Sequence, residues 1–437
     1  MRILFVSNVF PPFARGGYEQ WCDEVATALV ARGHELVVLT STPPAQSPIV
    51  DDRPFEIRRR LHQQVEGGLG NTVVRILRDR ARLEAQDLQT IDEIKDSFQP
   101  DAVLVWGMWN LNLSVPEHLE QCFGDRIAYY FCDYWPTLES AYVQRFQEPA
   151  RHRPLQAGKS ALGRLLLPQL DVNRRPDLAF ARAYCVSAAV RRILVARGAP
   201  LQGAQVLYGG IDGSAFAAAG AVRKHWEQGL RLLYAGRIEP MKGVHTIVGA
   251  LVTLRASGHQ DMTLDIVGGG DPDYMGDLQR QVEDGGLSQS VRMLGPVKRD
   301  DMPALMAQYD VLVFSSEWEE PFARTVMEAM ASGLLVVGTL TGGTGELLVE
   351  GETGLTYRAG DAADLARQLL CIEADAQRAQ RVASHGQRVV LTEYTLVRMV
   401  DDFEAMLASF APGGGRQPSL QTVMAGNPAA TQTIGDV

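Results

Sequence analysis

The residues of this chain best suited to chemistry are two cations and two acids set in loops of its second half. Arg237 and Lys242 fall in GRIEPMKGVHTI, and Glu320 and Glu328 fall in EPFARTVMEAMASG. Two fixed cations in one loop can hold a diphosphate and stabilise it as a leaving group. A helix opening just after Glu320 would add unpaired N–H groups and the positive end of its dipole, both favourable to phosphate. Eight residues of helix rise at most about 12 Å. A sugar diphosphate running past that helix start could therefore meet Glu320 at its sugar and Glu328 at its ribose. Taken alone, two glutamates at this spacing are usually solvated, and Glu317, Glu319 and Glu320 read equally well as an acidic turn.

The elements needed to position these groups are legible around them. Asp310 to Phe314 is a short Val-rich run, the pattern of a strand buried on both faces of a parallel sheet. Pro321 suits the first turn of a helix, Ala323 to Ser332 continues it, and Gly333 ends it. Leu230 to Ala235 reads as the strand before the Arg/Lys loop, with a helix from Val244. Further strands are expected at Thr263 to Val267, Val291 to Leu294 and Leu334 to Gly338, with a helix over Asp301 to Gln308. TLTGGTGELL, holding Glu346, is a glycine-rich turn whose amides could reach phosphate oxygens. Asp361 to Leu370, Ala374 to Leu391 and Glu393 to Leu407 read as helices. Asp271-Pro272-Asp273 has the form of a metal-holding pair of carboxylates. It is discounted, because the cations already supply positive charge.

The first half begins as a strand, Met1 to Val9, then a loop with Gly16-Gly17, a helix over Tyr18 to Arg32 and a strand over Glu35 to Leu39. Such a βαβ unit implies a doubly wound sheet. The glycine pair permits close approach of backbone to a ligand but is also an ordinary loop feature. Asp101 to Val105 is a further strand, with Trp106, Trp109 and Asn110 at its carboxyl end, where ligands gather in open α/β sheets. These residues suggest an acceptor wall made for stacking. Strands follow at Arg126 to Phe131, with Asp133 beyond it, and at Ala183 to Ser187. Asp133 reads equally as a turn residue. Residues 145–182 hold eight Lys and Arg against three Asp and Glu. Their middle, GKSALGRLLLPQL, offers Leu162, Leu165 and Leu166 beside Lys159 and Arg164, a basic amphipathic turn able to touch anionic lipid or an ordinary helix packed on its domain.

With 437 residues the chain is long enough for two full cores. No apolar run approaches the ~20 residues of a membrane helix. The opening apolar run is short, carries Ser7 and Asn8, and ends in Pro-Pro, so it reads as a strand rather than a signal peptide. The five cysteines show no paired spacing, which suggests a reduced, cytoplasmic protein. The net charge of −10 argues against general nucleic-acid binding. Residues 1–205 hold 24 basic and 23 acidic residues, net +1; the remaining 18 and 29 give −11.

The glutamate pair within EPFARTVMEAMASGLLVVG, the GR-x4-KG loop and the GG-x-x-E turn together resemble the signature of retaining glycosyltransferases of family 4, the glycosyl transferases group 1. The resemblance covers residues 1 to about 410. It implies the α/β GT-B fold, two Rossmann-like doubly wound domains facing a central cleft. The implied domains are 1–205 for the acceptor and 206–392 for the nucleotide-sugar, a helix over 393–411 crossing back, and a disordered tail at 412–437. VLYGGIDGSAF (206–216) resembles the interdomain segment of that family, with Gly209 where Asn is usual. The implied activity is transfer of a sugar from a nucleoside diphosphate to an acceptor hydroxyl, with retention. Arg237, Lys242, Glu320 and Asp133 would carry the catalysis. Gly17, Val297, Phe322, Ala323, Arg324, Thr325 and Glu328 would join Arg237, Lys242 and Glu320 in binding the donor. Trp109, Asn110 and Asp133 would face the acceptor. No cofactor or metal is implied. The expected partners are a nucleotide-sugar and a hydroxyl acceptor, with peripheral contact to the inner face of a membrane through 145–182. A nucleotide-sugar epimerase or phosphorylase, or a non-catalytic nucleotide-sugar-binding protein, would share this scaffold.

Overall fold

The computed structural model describes residues 1–13, 16–42, 51–148, 153–167, 174–221, 226 and 229–410. The chain divides into two compact units, Met1–Leu207 with the described residues from Val400 on, and Tyr208–Met399. Part of the loop before Gly16, part of 145–182 and the tail at 412–437 lie outside the described residues.

The first unit is built on strands β1 (Arg2–Ser7), β2 (Glu35–Ser41), β3 (Glu56–Leu61), β4 (Ala102–Val105), β5 (Ile127–Phe131), β6 (Ala183–Cys185) and β7 (Gln205–Val206), in the order β3-β2-β1-β4-β5-β6-β7. Every pairing is parallel. The apolar runs ILFV and AVLV are buried at every position, as a sheet covered on both faces demands. Winding runs outward in both directions from the β1–β4 pair. The connections after β1 and β4 therefore leave on opposite faces and open a crevice at their carboxyl ends.

The second unit repeats the device. Strands β8 (Arg231–Ala235), β9 (Thr263–Val267), β10 (Val291–Gly295), β11 (Val311–Phe314), β12 (Leu335–Gly338) and β13 (Leu355–Thr356) follow the order β10-β9-β8-β11-β12-β13, all parallel. Its switch point is the β8–β11 pair. One apolar core, including Leu232, Ile247, Leu264, Val311, Val337 and Leu369, packs the sheet against its helices. Asp310, fully buried at the start of β11, takes two hydrogen bonds from the Arg231 guanidinium (2.9 and 2.8 Å) and one from its amide (3.0 Å), which fixes β11 against β8.

The helix Leu396–Ala408 begins in the second unit and continues in the first. In the second unit, the Leu396 amide donates to Ile211 and the Ile211 amide to Tyr394, so the two stretches that lead out of the unit lie side by side. A Cβ on Gly210 would come within 2.2 Å of the Thr395 carbonyl oxygen, so this approach excludes any larger residue. In the first unit, Phe403 stacks on Trp106 at 5.2 Å and meets Tyr130 edge-on at 4.9 Å. Trp106 is thereby a core residue, 1 % exposed, and not part of an acceptor wall. It sits too close to the strand end to turn away from the helix that covers it.

Candidate functional site

The loops after β8 and β11 meet at the second unit's switch point and are interlocked through backbone. The amides of Glu317 and Trp318 both donate to the Met241 carbonyl, at 2.9 and 3.2 Å. The Ser315 hydroxyl donates to the Lys242 carbonyl at 2.7 Å. Gly243 follows in the left-handed region (φ 64°), and a Cβ there would meet the Ser315 carbonyl oxygen at 2.1 Å. Only glycine allows this approach.

The consequence is that Lys242 and Glu320, 78 residues apart, form an ion pair. Both side chains are largely buried, 14 % and 15 % exposed. The Ser316 hydroxyl donates to the same carboxylate oxygen at 2.9 Å. The third loop, after β12, is tied to the second. Gly343 donates its amide to the Glu320 carbonyl (2.7 Å) and Gly342 donates to the Glu319 carboxylate (2.6 Å). Gly342 has φ 57°, and a Cβ would lie 2.1 Å from the Glu320 carbonyl oxygen. Glu346 closes that turn (Gly342–Glu346).

The structure treats the other residues expected to bind the donor differently. Arg237 lies in the same loop as Lys242 but is exposed, paired with Glu239 at 2.9 Å. Tyr234 links it to the site: its hydroxyl donates to the Arg237 carbonyl at 2.6 Å. That hydroxyl is held well above its ordinary pKa, by burial first and by the Glu320 carboxylate second. The helix after β11 is Arg324–Ala331, so Pro321 is not in its first turn as the sequence implied. Phe322 turns inward first, packing on Tyr208 and Tyr394 at 5.6 and 5.7 Å, and Ala323 caps the helix. The phenyl ring is buried, which leaves the backbone of 322–325 as its contribution to a ligand. Glu328, 3 % exposed, accepts from Arg324 (2.9 Å) and pairs with Arg299 (2.5 Å). Nothing in the sequence marked Arg299 or Ser316; both came to the site from outside the spacing that was read. Thr325 and Val297 are half-buried, Val297 in the loop after β10. Asp271 caps the helix Pro272–Asp284, its carboxylate accepting from the amides of Asp273 and Tyr274 at 2.9 Å each. A cap accounts for that acidic pair without an ion.

In the first unit, Asn8 after β1 donates twice to the loop after β4. Its amide donates to Gly107 (2.7 Å) and its side chain to the Trp109 carbonyl (2.9 Å). Tyr18 donates to the Asn8 side chain at 2.5 Å and lies where any Cβ on Gly107 would be, 2.7 Å from the ring. Gly17 opens the helix Gly17–Ala31, and buried Glu19 accepts from the Gly16 amide at 2.9 Å. Asn110 is buried with φ 66° and its side chain is fully engaged. It donates to Gln63 (3.1 Å) and Val65 (3.0 Å) and accepts from the Val65 amide (2.9 Å). It therefore holds the loop, and a direct acceptor contact would break these bonds. The Trp109 indole donates to Gln144 at 3.4 Å. Asp133 accepts from the Trp135 amide at 3.1 Å. Burial raises its pKa to about 7; the Trp135 amide opposes this, and the charge of Glu19 adds to it.

Three comparisons with known proteins bear on these geometries. Residues 222–389 match the family model described as glycosyl transferases group 1. Glycogen synthase of Mycobacterium tuberculosis is 27% identical over 439 residues, covering 96% of this chain and 97% of that one. Among solved structures, Anabaena HepE in complex with UDP and glucose aligns with a TM-score of 0.66 at 21% identity, over 94% of this chain and 100% of that one. Sucrose-phosphate synthase from Thermosynechococcus elongatus aligns with a TM-score of 0.68 at 18% identity, over 92% and 97%. The chain thus shares the GT-B fold of two Rossmann-like units with these structures.

Asp133 yields a test within the first unit. The folded carboxyl holds its proton more tightly than the unfolded one, whose ordinary value is 3.8. Between about pH 4 and 7 the unfolded state therefore binds fewer protons, and stability falls as pH rises through that window. Asp133→Asn removes this cost. Urea unfolding at pH 5 and pH 8 is expected to show the variant gaining on the parent at pH 8; a difference that does not change with pH contradicts the assignment.

Proposed function

We propose that the protein is a retaining glycosyltransferase of family 4 that moves a hexose from a nucleoside diphosphate to an acceptor hydroxyl. The observation that carries this reading is the buried Lys242–Glu320 pair beside the start of Arg324–Ala331, at the carboxyl ends of β8 and β11. Lys242 and Arg237 hold the diphosphate, joined by amides of the helix start at 323–325. Glu320 accepts from sugar hydroxyls, and Glu328 from the ribose once it shares its arginines. Val297 flanks the nucleotide. That HepE was crystallised with UDP and glucose favours a uridine nucleotide among the candidate donors.

In the reaction the bond from the anomeric carbon to the β-phosphate oxygen breaks, and its electron pair leaves with the nucleoside diphosphate. The acceptor oxygen bonds to the same face of that carbon, and its proton passes to a departing phosphate oxygen. The cationic loop stabilises the charge that develops there, and the reading requires no metal. Asp133, able to keep a proton near neutral pH, and Trp109 belong to the acceptor side, with Asn110 positioning the loop of Trp109.

The reading predicts that nucleoside diphosphate appears only when an acceptor is supplied, and that the product keeps the donor's anomeric configuration by NMR. Glu320→Gln is expected to lower kcat about a hundredfold or more. Release of the diphosphate at the same rate without acceptor points to an epimerase or hydrolase, and unchanged turnover in Glu320→Gln overturns the role given to that residue.

A membrane setting for the acceptor is also favoured, by part of the stretch first expected together with a second one. Lys159 turns inward, its ammonium donating to the Glu148 carbonyl at 2.5 Å, and so leaves the basic face. Leu165 is exposed as expected (60 %), and so are Val74 (53 %) and Leu77 (57 %) from the stretch Leu69–Asp79. Both segments pack on one small cluster of Ile76, Tyr142, Val143 and Phe146. Arg78 and Arg164 are exposed beside these leucines. No described helix is long and apolar enough to cross a membrane. Apolar tips beside arginines fit an anionic lipid surface. Sedimentation with anionic vesicles is expected to pull down the parent but not Leu77→Glu/Leu165→Glu; equal sedimentation of both contradicts the contact.

A further inference from the structure

Away from the donor loops, the first unit brings together three side chains that the glycosyl-transfer reading does not use. Asp92 lies on the helix Arg80–Phe98, and His118 and Cys122 lie on the neighbouring helix Ser114–Phe123. His118 and Cys122 are four residues apart and so share one helical face. Asp92 Oδ1 is 2.9 Å from His118 Nε2 and 3.7 Å from Cys122 Sγ, and the histidine nitrogen is 3.5 Å from that sulfur.

These separations can be compared with a metal's requirements. Zinc binds nitrogen, oxygen and sulfur at about 2.0–2.3 Å in a tetrahedron, which sets ligand atoms roughly 3.3–3.7 Å apart. Two of the three separations already lie within that range. The third, the Asp–His hydrogen bond, would open by about half an ångström as the ion replaces its proton. Asp92 is exposed and the other two are partly buried, so an ion can enter from solvent and keep a water as fourth ligand. One imidazole, one thiolate and one carboxylate form a donor set of borderline softness, which suits Zn²⁺ better than Mg²⁺ or Ca²⁺.

We propose that Asp92, His118 and Cys122 form a zinc-binding site that fastens the helix Ser114–Phe123 to the helix Arg80–Phe98. Binding releases the thiol proton and the imidazole proton or hydrogen bond, and it stabilises the pairing of two helices that the unfolded chain does not have. The Ser114–Phe123 helix leads directly from the loop after β4, so the site would steady one side of that loop.

The experiment uses the full chain, chelator-treated, in a Cys371→Ser background. Cys371 is exposed and could bind metal on its own, whereas Cys22, Cys132 and Cys185 are buried. Titration with Co²⁺ is expected to give a thiolate-to-cobalt absorption band that Zn²⁺ abolishes. Cys122→Ser should lose the band, and His118→Ala should weaken Zn²⁺ binding at least tenfold. Zn²⁺ should raise the melting temperature of the parent but not of Asp92→Asn. Absence of the thiolate band in the parent overturns the proposal without recourse to any variant. Equal Zn²⁺ affinity in parent and Cys122→Ser overturns it as well, leaving a surface His–Asp ion pair beside a thiol.

Discussion

The loop architecture at the second unit's switch point depends on one close approach, that of Gly243 to the Ser315 carbonyl. Without room for a side chain there, the loops after β8 and β11 could not share hydrogen bonds through Met241 and Lys242. With it, an ammonium and a carboxylate from distant parts of the chain meet in a place where water is largely excluded. An ion pair so placed is costly to bury and needs further hydrogen bonds to be tolerated. Ser316 supplies one. The carboxylate also orients the ammonium. Gly342 does the same for the third loop, against the Glu320 carbonyl.

The first unit follows a parallel logic with different chemistry. There the loops after β1 and β4 are joined by Asn8, and Gly107 leaves space for Tyr18. The groups gathered there are acids, Glu19 and Asp133, rather than cations.

Much of this was legible in the sequence because buried parallel strands are short, continuous and apolar. ILFV, AVLV and VLVF could hardly be anything else. β3, with the sequence EIRRRL, and the two-residue strands β7 and β13 carry no such run and were not read. The charged residues of β3 belong to an edge strand, where one side is free of a neighbour. The site was legible where glycine and charge recur at close spacing, as in the loop of Arg237 and Lys242. Reading failed where long-range packing decides. Trp106 and Asn110 look alike in sequence as polar or aromatic residues at a strand end, yet one is covered by Phe403 and the other is bound to Gln63 and Val65. Pro321 has the right type for a helix start, but burial of Phe322 among aromatic rings delays the helix to Arg324. Lys159 turned inward to a carbonyl that spacing could not have shown.

The central claim is that the Lys242 ammonium, held by Glu320, is where a nucleoside diphosphate is gripped. Calorimetric titration of UDP, GDP and ADP into the parent and into Lys242→Met tests it most directly. One of the three should bind the parent, and the variant should bind that nucleotide at least tenfold more weakly. Equal affinity in parent and variant, or no binding of any of the three to the parent, would contradict the account.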